Sequence, residues 1–223
     1  MRKSIGLQNE SRLHADLKNW YQLPGDKFEF EIDNFIIDIV RENYLIEIQT
    51  GNFSSIKKKL QQLCFKHKVR MIYPLPLEKQ IVYLSTKGNQ IRKRKSPKHC
   101  KIQDIFHELV YIPHLLKNHN FSLEVLFTSE EEIRCNDGKG SWRRKGVSIL
   151  DRRLIEVLKS EQFLNLDDYL QFIPFEKNVK FLTKEVAEFY RISINLARKI
   201  TYTLSRCGVI ENVGKKGNAL VYS

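Results

Sequence analysis

The stretch Phe35-Ile36-Ile37-Asp38-Ile39-Val40-Arg41-Glu42-Asn43-Tyr44-Leu45-Ile46-Glu47-Ile48-Gln49 decides how this chain of 223 residues is read. Two β-type runs, Phe35 to Val40 and Tyr44 to Gln49, flank Glu42-Asn43. A two-residue turn there pairs Arg41 with Tyr44 and Val40 with Leu45. Asp38 then falls opposite Glu47 on one face, their Cβ atoms about 5 Å apart, and Gln49 shares that face. Two carboxylates opposed inside apolar strands repel each other and resist desolvation unless a cation sits between them. A divalent metal is the simplest such cation; hard oxygen donors suit Mg²⁺, with Mn²⁺ as a substitute. A purely structural arrangement stands beside this one: Asp38 at a strand end, Glu47 paired with Arg41 or with a lysine of the next helix, and Gln49 merely polar.

Working outward, Glu10 to Tyr21 carries Leu13, Leu17 and Trp20 at helical spacing, with Asn9 or Ser11 as a cap, and Phe28 to Ile32 is a strand. Glu10 begins the apolar stripe that faces the sheet, so its carboxylate can join Asp38 and Glu47. His14, one turn later, reads as a structural histidine, with a hydrogen bond near the metal as the alternative. Downstream, Gly51-Asn52-Phe53-Ser54 breaks the pattern, a helix carries Ile56, Leu60 and Leu63, and a strand from Val69 to Tyr73 stops at Pro74. Lys57, Lys58 and Lys59 at that helix start reach backbone phosphate or form a solvated face.

Glu10, Asp38 and Glu47-Ile48-Gln49, in the order helix, strand, strand, helix, strand, resemble the PD-(D/E)xK nuclease superfamily over roughly residues 5 to 75. The resemblance implies a restriction-endonuclease-like αβββαβ core in the α/β class, with a mixed central sheet. It also implies Mg²⁺-dependent hydrolysis of DNA phosphodiesters, with Asp38, Glu47 and the Ile48 carbonyl as metal ligands and Glu10 as an auxiliary acid. The superfamily's usual lysine falls on Gln49, which carries no positive charge for the transition state.

The middle of the chain offers strand-like Gln80 to Leu84, a basic stretch Arg92 to Lys101, a helical stretch Ile102 to Leu116 containing Pro113, and strand-like Ser122 to Thr128. Glycine and charge dominate Asn136 to Gly146, a linker signal, and Ile149 to Lys159 has helical spacing. From Phe181 the pattern is a helix to Tyr190, a turn at Arg191-Ile192-Ser193, a helix from Ile194 to Cys207 stopped at Gly208, and two strand-like runs around Gly214-Lys215-Lys216-Gly217-Asn218. This order resembles a winged helix. The resemblance would place Asn195, Arg198, Lys199 and Tyr202 at DNA and Lys215 and Lys216 on backbone. The expected organisation is a nuclease domain over 1–135, a basic linker and bridging helix over 136–160, and a winged-helix domain over 161–223.

Lysine and arginine number 38 against 26 acids, a formal charge of +12, which favours a polyanionic partner. Arg94 in one basic cluster, and Trp142 beside Arg143 and Arg144 in another, are further DNA contacts, the tryptophan by stacking on a base. Each cluster alone also fits a solvated loop. Cys64, Cys100, Cys135 and Cys207 are too scattered for a zinc site and read as free thiols. No apolar run has the length of a signal-peptide core or a membrane span, so a cytoplasmic protein without a membrane partner is expected. Cutting both strands with one centre per chain would call for a homodimer. Two other functions fit the same features: a DNA-binding regulator with structural carboxylates, and an assembly subunit whose winged helix holds another protein.

Overall fold

The computed structural model describes residues 11–223; Glu10 lies outside them. The fold is mixed α/β, built on a sheet of seven strands: β1 Lys27–Ile32, β2 Phe35–Arg41, β3 Tyr44–Ile48, β4 Lys68–Leu84, β5 Gln90–Lys95, β6 Phe121–Asn136 and β7 Val147–Phe163. They lie in the order β1-β2-β3-β4-β6-β7, with β5 paired to the far half of β4. The first three form an antiparallel meander, β3, β4 and β6 run parallel, and β5 and β7 return antiparallel. Asp33 and Asn34 take φ of 51° and 66°, the left-handed pair that a tight hairpin turn demands. The parallel step from β3 to β4 needs a crossover, which the helix α2, Phe53–Leu63, supplies.

Helices cover both faces. The helix α1, Arg12–Tyr21, is capped by the Ser11 hydroxyl, which accepts from the His14 amide. It sets Leu13 and Leu17 on Ile39, Ile46, Ile48, Ile72 and Leu126. On the opposite face α2 and the short α3, Phe106–Leu109, cover Ile37, Leu45, Val69 and Met71. Trp20, expected in the buried stripe of α1, is half exposed.

Three expectations fail for identifiable reasons. The strand expected to stop at Pro74 continues through Pro74 and Pro76 and merges with Gln80 to Leu84 as β4. The carbonyl of Ile72 accepts from Gln49, so even-numbered residues here turn their backbone groups toward β3. Since β3 ends at Ile48, Pro74 and Pro76 face an open side where their missing N–H groups cost no ladder bond. The helix expected over Ile149 to Lys159 is instead strand β7, so the expected linker and bridging helix over 136–160 is the β6–β7 hairpin of the main sheet. Its register slips past Leu158, Ile155 and Leu150, and those three are 42, 56 and 54% exposed. The bulges break the two-residue alternation and leave apolar residues at a spacing that imitates a helix. The helical stretch Ile102 to Leu116 is a 3-10 turn, Ile102–Ile105, followed by α3 and then turns around Pro113.

Beyond β7, a 3-10 turn over Leu166–Phe172 leads to β8 Phe181–Leu182, α4 Thr183–Tyr190, α5 Ile194–Cys207, β9 Asn212–Lys216 and β10 Ala219–Tyr222. These last three strands form a small sheet in the order β8-β10-β9. Ser193 caps α5 by accepting from the Leu196 amide, and Gly208 ends it at φ 88°. The C-terminal unit shares its interior with the rest: one apolar cluster runs from Ile37 through Phe106, Phe163 and Phe172 to Ile200, Leu204 and Tyr222. No helix among the described residues is long and apolar enough to cross a membrane.

Candidate active site

The β2–β3 hairpin pairs Arg41 with Tyr44, Val40 with Leu45 and Ile39 with Ile46, and there its ladder stops. Asp38 and Glu47 are therefore not a ladder pair. The Ile48 amide donates instead to Oδ2 of Asp38 at 2.7 Å, so the carboxylate takes a bond that a strand neighbour would otherwise receive. Ile37 and Ile39, two residues apart, lie in opposite apolar layers, which shows that strand alternation breaks at Asp38. Across from it β1 is kinked too, with Glu29 at φ 47° between the pairs Phe28–Ile39 and Phe30–Ile37. Asp38 thus marks the point where β2 and β3 part.

Nε2 of His14, from α1, lies 3.2 Å from Oδ2 of Asp38. Burial pushes the Asp38 carboxyl up, but the His14 hydrogen bond and charge, the Ile48 amide and the Lys59 charge together outweigh it and hold the acid below its usual range. Glu47 behaves oppositely. It is 5% exposed on the α2 side, and burial, reinforced by the Asp38 charge and only partly offset by Lys59, raises its acid to about 7. Nζ of Lys59 is 2.6 Å from its Oε1 and also donates to the Ile36 carbonyl at 2.6 Å. The contact is a short ion pair, the pairing of Glu47 with a lysine of the next helix that the purely structural arrangement expects.

Asp38 and Glu47 are thus brought close, and two carboxylates, one held ionised and one buried, are the oxygen donors that a hard cation takes. No group of three or more His, Cys, Asp or Glu able to hold a metal occurs among the described residues. A site made by Asp38 and Glu47 alone would be completed by water and phosphate oxygens. Gln49 turns away, its amide nitrogen donating to the carbonyls of Gly51 and Asn52 at the start of α2. Helical spacing turns Lys58 away from the stripe of Ile56, Leu60 and Leu63 and sets Lys57 and Lys59 at its two opposite edges, so the sequence alone did not choose between those two.

The basic residues divide into those that face solvent and those that do not. Asn195, Arg198 and Tyr202 form one exposed face of α5, with the Arg206 guanidinium 5.6 Å from the Tyr202 ring centre. Lys199 does not belong to that face: its Nζ lies 3.3 Å from Nδ1 of His107, on the side packed against α3. Lys215 and Lys216 are exposed but lie within β9, and Gly217-Asn218 makes the turn. Trp142 is 82% exposed at the end of the β6–β7 hairpin, with the Arg143 guanidinium 5.5 Å from its ring and the Arg144 Nε donating to the Val147 carbonyl. Lys57 is half-buried on α2, and Arg94 sits in β5, far along the chain from the carboxylates.

A second charged group escaped the sequence reading. Glu130 and Glu132 are buried beside Lys79, Arg134 and Arg152 in a cleft that also includes Leu13 and Thr50. The run Glu130-Glu131-Glu132 directly after an apolar strand was the available signal, since buried acids require partners.

Residues 11–164 match a family model described as a domain of unknown function, DUF8091. An uncharacterized protein of Treponema pallidum (strain Nichols) is 32% identical over 163 residues, which are 73% of this chain and 65% of that protein. The chain therefore spans less than two thirds of the length of that relative. No solved structure matches.

Proposed function

The chain belongs to the DUF8091 family, and we propose that it is a metal-dependent nuclease acting on DNA, with a PD-(D/E)xK-like core and a winged-helix unit for docking. The observation that carries this reading is Glu47: a carboxylate 5% exposed, paired with Lys59 and placed beside a second acid that is held ionised. Lys59 offsets one of the two carboxylate charges, and a divalent ion between the acids would offset the other.

Asp38 and Glu47 would hold Mg²⁺, with Glu10 and the Ile48 carbonyl as further candidates. When bound, the ion would lower the pKa of a coordinated water and offset charge on the phosphoryl group. His14 and the Ile48 amide keep Asp38 ionised and fixed in orientation. Lys59 stands where Gln49 fails, a cation beside Glu47 that reaches the site from α2 instead of from β3. Its charge can orient an attacking water or stabilise the phosphoryl oxygens. The exposed face of Asn195, Arg198 and Tyr202, with Lys215 and Lys216, suits base edges and phosphates in the winged-helix mode.

Supercoiled, linear and single-stranded DNA incubated with and without Mg²⁺ or Mn²⁺ test the reading. Wild type should cut in the presence of metal, and Asp38→Ala and Glu47→Ala should not; undiminished cutting by both variants would sink the site. One observation favours a second reading. The groove between α4, α5 and β10 is walled by Ala187, Ile192, Ile194 and Leu220 beside Arg198, chemistry that suits an apolar protein segment. In that case the C-terminal unit would hold a protein partner, and the chain would fail to retain duplex DNA even at low salt.

A further inference from the structure

A cleft of about 570 Å³ opens where β3 ends and its parallel neighbours β4 and β6 continue. Its floor is a lattice of charge. Glu132, 2% exposed, accepts from Nε of Arg134 at 2.7 Å and lies 2.5 Å from its Nη2, 3.3 Å from Nζ of Lys79 and 3.4 Å from Nε of Arg152. One buried carboxylate thus gathers three cations, none of which is used up by it, since each keeps further N–H donors. Glu130, also 2% exposed, accepts the Thr128 hydroxyl at 2.8 Å and stands 4.0 Å from Nζ of Lys79. Burial, only partly offset by Lys79, pushes its acid up. Lys98, Asp104 and His107 edge the cleft, while Tyr73, Leu75 and Pro76 give it an apolar wall.

As a device for stability this lattice is poor, because buried ion pairs seldom do better than apolar packing of the same volume. As a ligand site it is well composed: an open cleft of the size that takes a small molecule, one apolar wall, convergent cationic donors and an acid with hydrogen-bonding capacity in reserve. We propose that the cleft is a nucleotide pocket, in which Lys79, Arg134 and Arg152 take a phosphate while Tyr73, Leu75 and Pro76 pack on a base whose polar edge meets Glu130. Guanidinium forks match phosphate oxygens, and a carboxyl group can both donate to and accept from a base edge. The nucleotide has two sources, a unit of a bound strand or a free nucleoside monophosphate. Leu13 and Thr50 join the cleft to the candidate active site, next in sequence to His14 and Gln49, which is how a strand at that site would feed it. Only the strand-borne source rests on the nuclease reading.

The full chain in EDTA, where metal-dependent cutting is silent, is titrated with the four deoxynucleoside 5′-monophosphates, with inorganic phosphate and with a single-stranded dodecamer. Amide hydrogen exchange is followed over 73–79 and 128–134. The pocket predicts slower exchange in both segments, and at least one monophosphate bound about tenfold more tightly than phosphate. Arg152→Gln, at a side chain 40% exposed and so tolerant of change, should weaken that binding about tenfold with an unaltered circular dichroism spectrum. Glu130→Gln should reorder the four monophosphates. Protection by the dodecamer as well identifies a strand-borne nucleotide, and protection by monophosphates alone a free one; both support the pocket. No protection by any probe overturns it, as does equal binding of phosphate and nucleotides. A negative cutting assay does not affect this outcome, and an empty pocket does not affect the cutting assay.

Discussion

Nζ of Lys59 stands 2.6 Å from Oε1 of Glu47, so the positive charge at the candidate site comes from the crossover helix and not from the strand that carries the acid. A neutral side chain at 59 should therefore be felt in turnover more than in DNA affinity. Lys59→Met is expected to lower kcat about a hundredfold or more while KM changes little, the behaviour of a group acting on the transition state. Single-turnover cutting assays with saturating Mg²⁺ measure it, and a change confined to KM would remove Lys59 from the chemistry.

Glu47 also makes a prediction about pH. Its folded acid, at about 7, lies above the ordinary 4.5, so the folded chain binds the proton more tightly than the unfolded chain. Its contribution is fully present below pH 4.5 and is lost as pH rises through about 7. Between pH 5 and 8 without metal, this group alone costs roughly 2–3 kcal/mol of stability. Asp38 is shifted down and titrates below that window, so it does not oppose the trend. Urea unfolding in EDTA at both pH values should show a smaller loss for Glu47→Gln than for wild type; equal losses would mean that Glu47 is not the group responsible.

Metal should reverse that cost. At a hundredfold excess over Kd, Mg²⁺ binding to the folded state alone adds about 2.7 kcal/mol, visible as a raised melting temperature at neutral pH. Asp38→Ala and Glu47→Gln should each abolish the increase. Retention of the full shift in both variants would place any bound ion elsewhere.

On α5, adjacent residues should behave differently. Arg198 is exposed, whereas Lys199 is turned to His107. Arg198→Ala should weaken duplex binding and reduce the slope of log K against log salt by about one, and Lys199→Ala should leave that slope unchanged. Fluorescence anisotropy between low and moderate salt distinguishes them, and identical slopes for the two variants would contradict the docking face.

Trp142, 82% exposed at a hairpin end, has little to lose on folding. Trp142→Ala should alter stability by no more than about 0.5 kcal/mol, yet weaken single-strand binding by about 1–3 kcal/mol if the ring stacks on a base. Unchanged affinity would reduce the tip to a solvated turn.

Short-range physics made much of this protein readable from its residues. The turns at Asp33-Asn34 and Glu42-Asn43, the pairing of Arg41 with Tyr44, the Ser11 cap of α1, and the Ser193 cap and Gly208 stop of α5 follow from local sterics and from hydrogen bonds within a few residues. What depended on distant partners was not readable. Leu150, Ile155 and Leu158 look helical until β6 supplies a ladder and the bulges that expose them. Pro74 and Pro76 look like a strand end until the early finish of β3 removes the neighbour their amides would have served. Asp38 and Glu47 were found because their hairpin is local, and a lysine of the next helix was already among the expected partners of Glu47; the lattice of Lys79, Glu130, Glu132 and Arg152 needed the sheet to bring elements far apart in the chain into ion-pair distance.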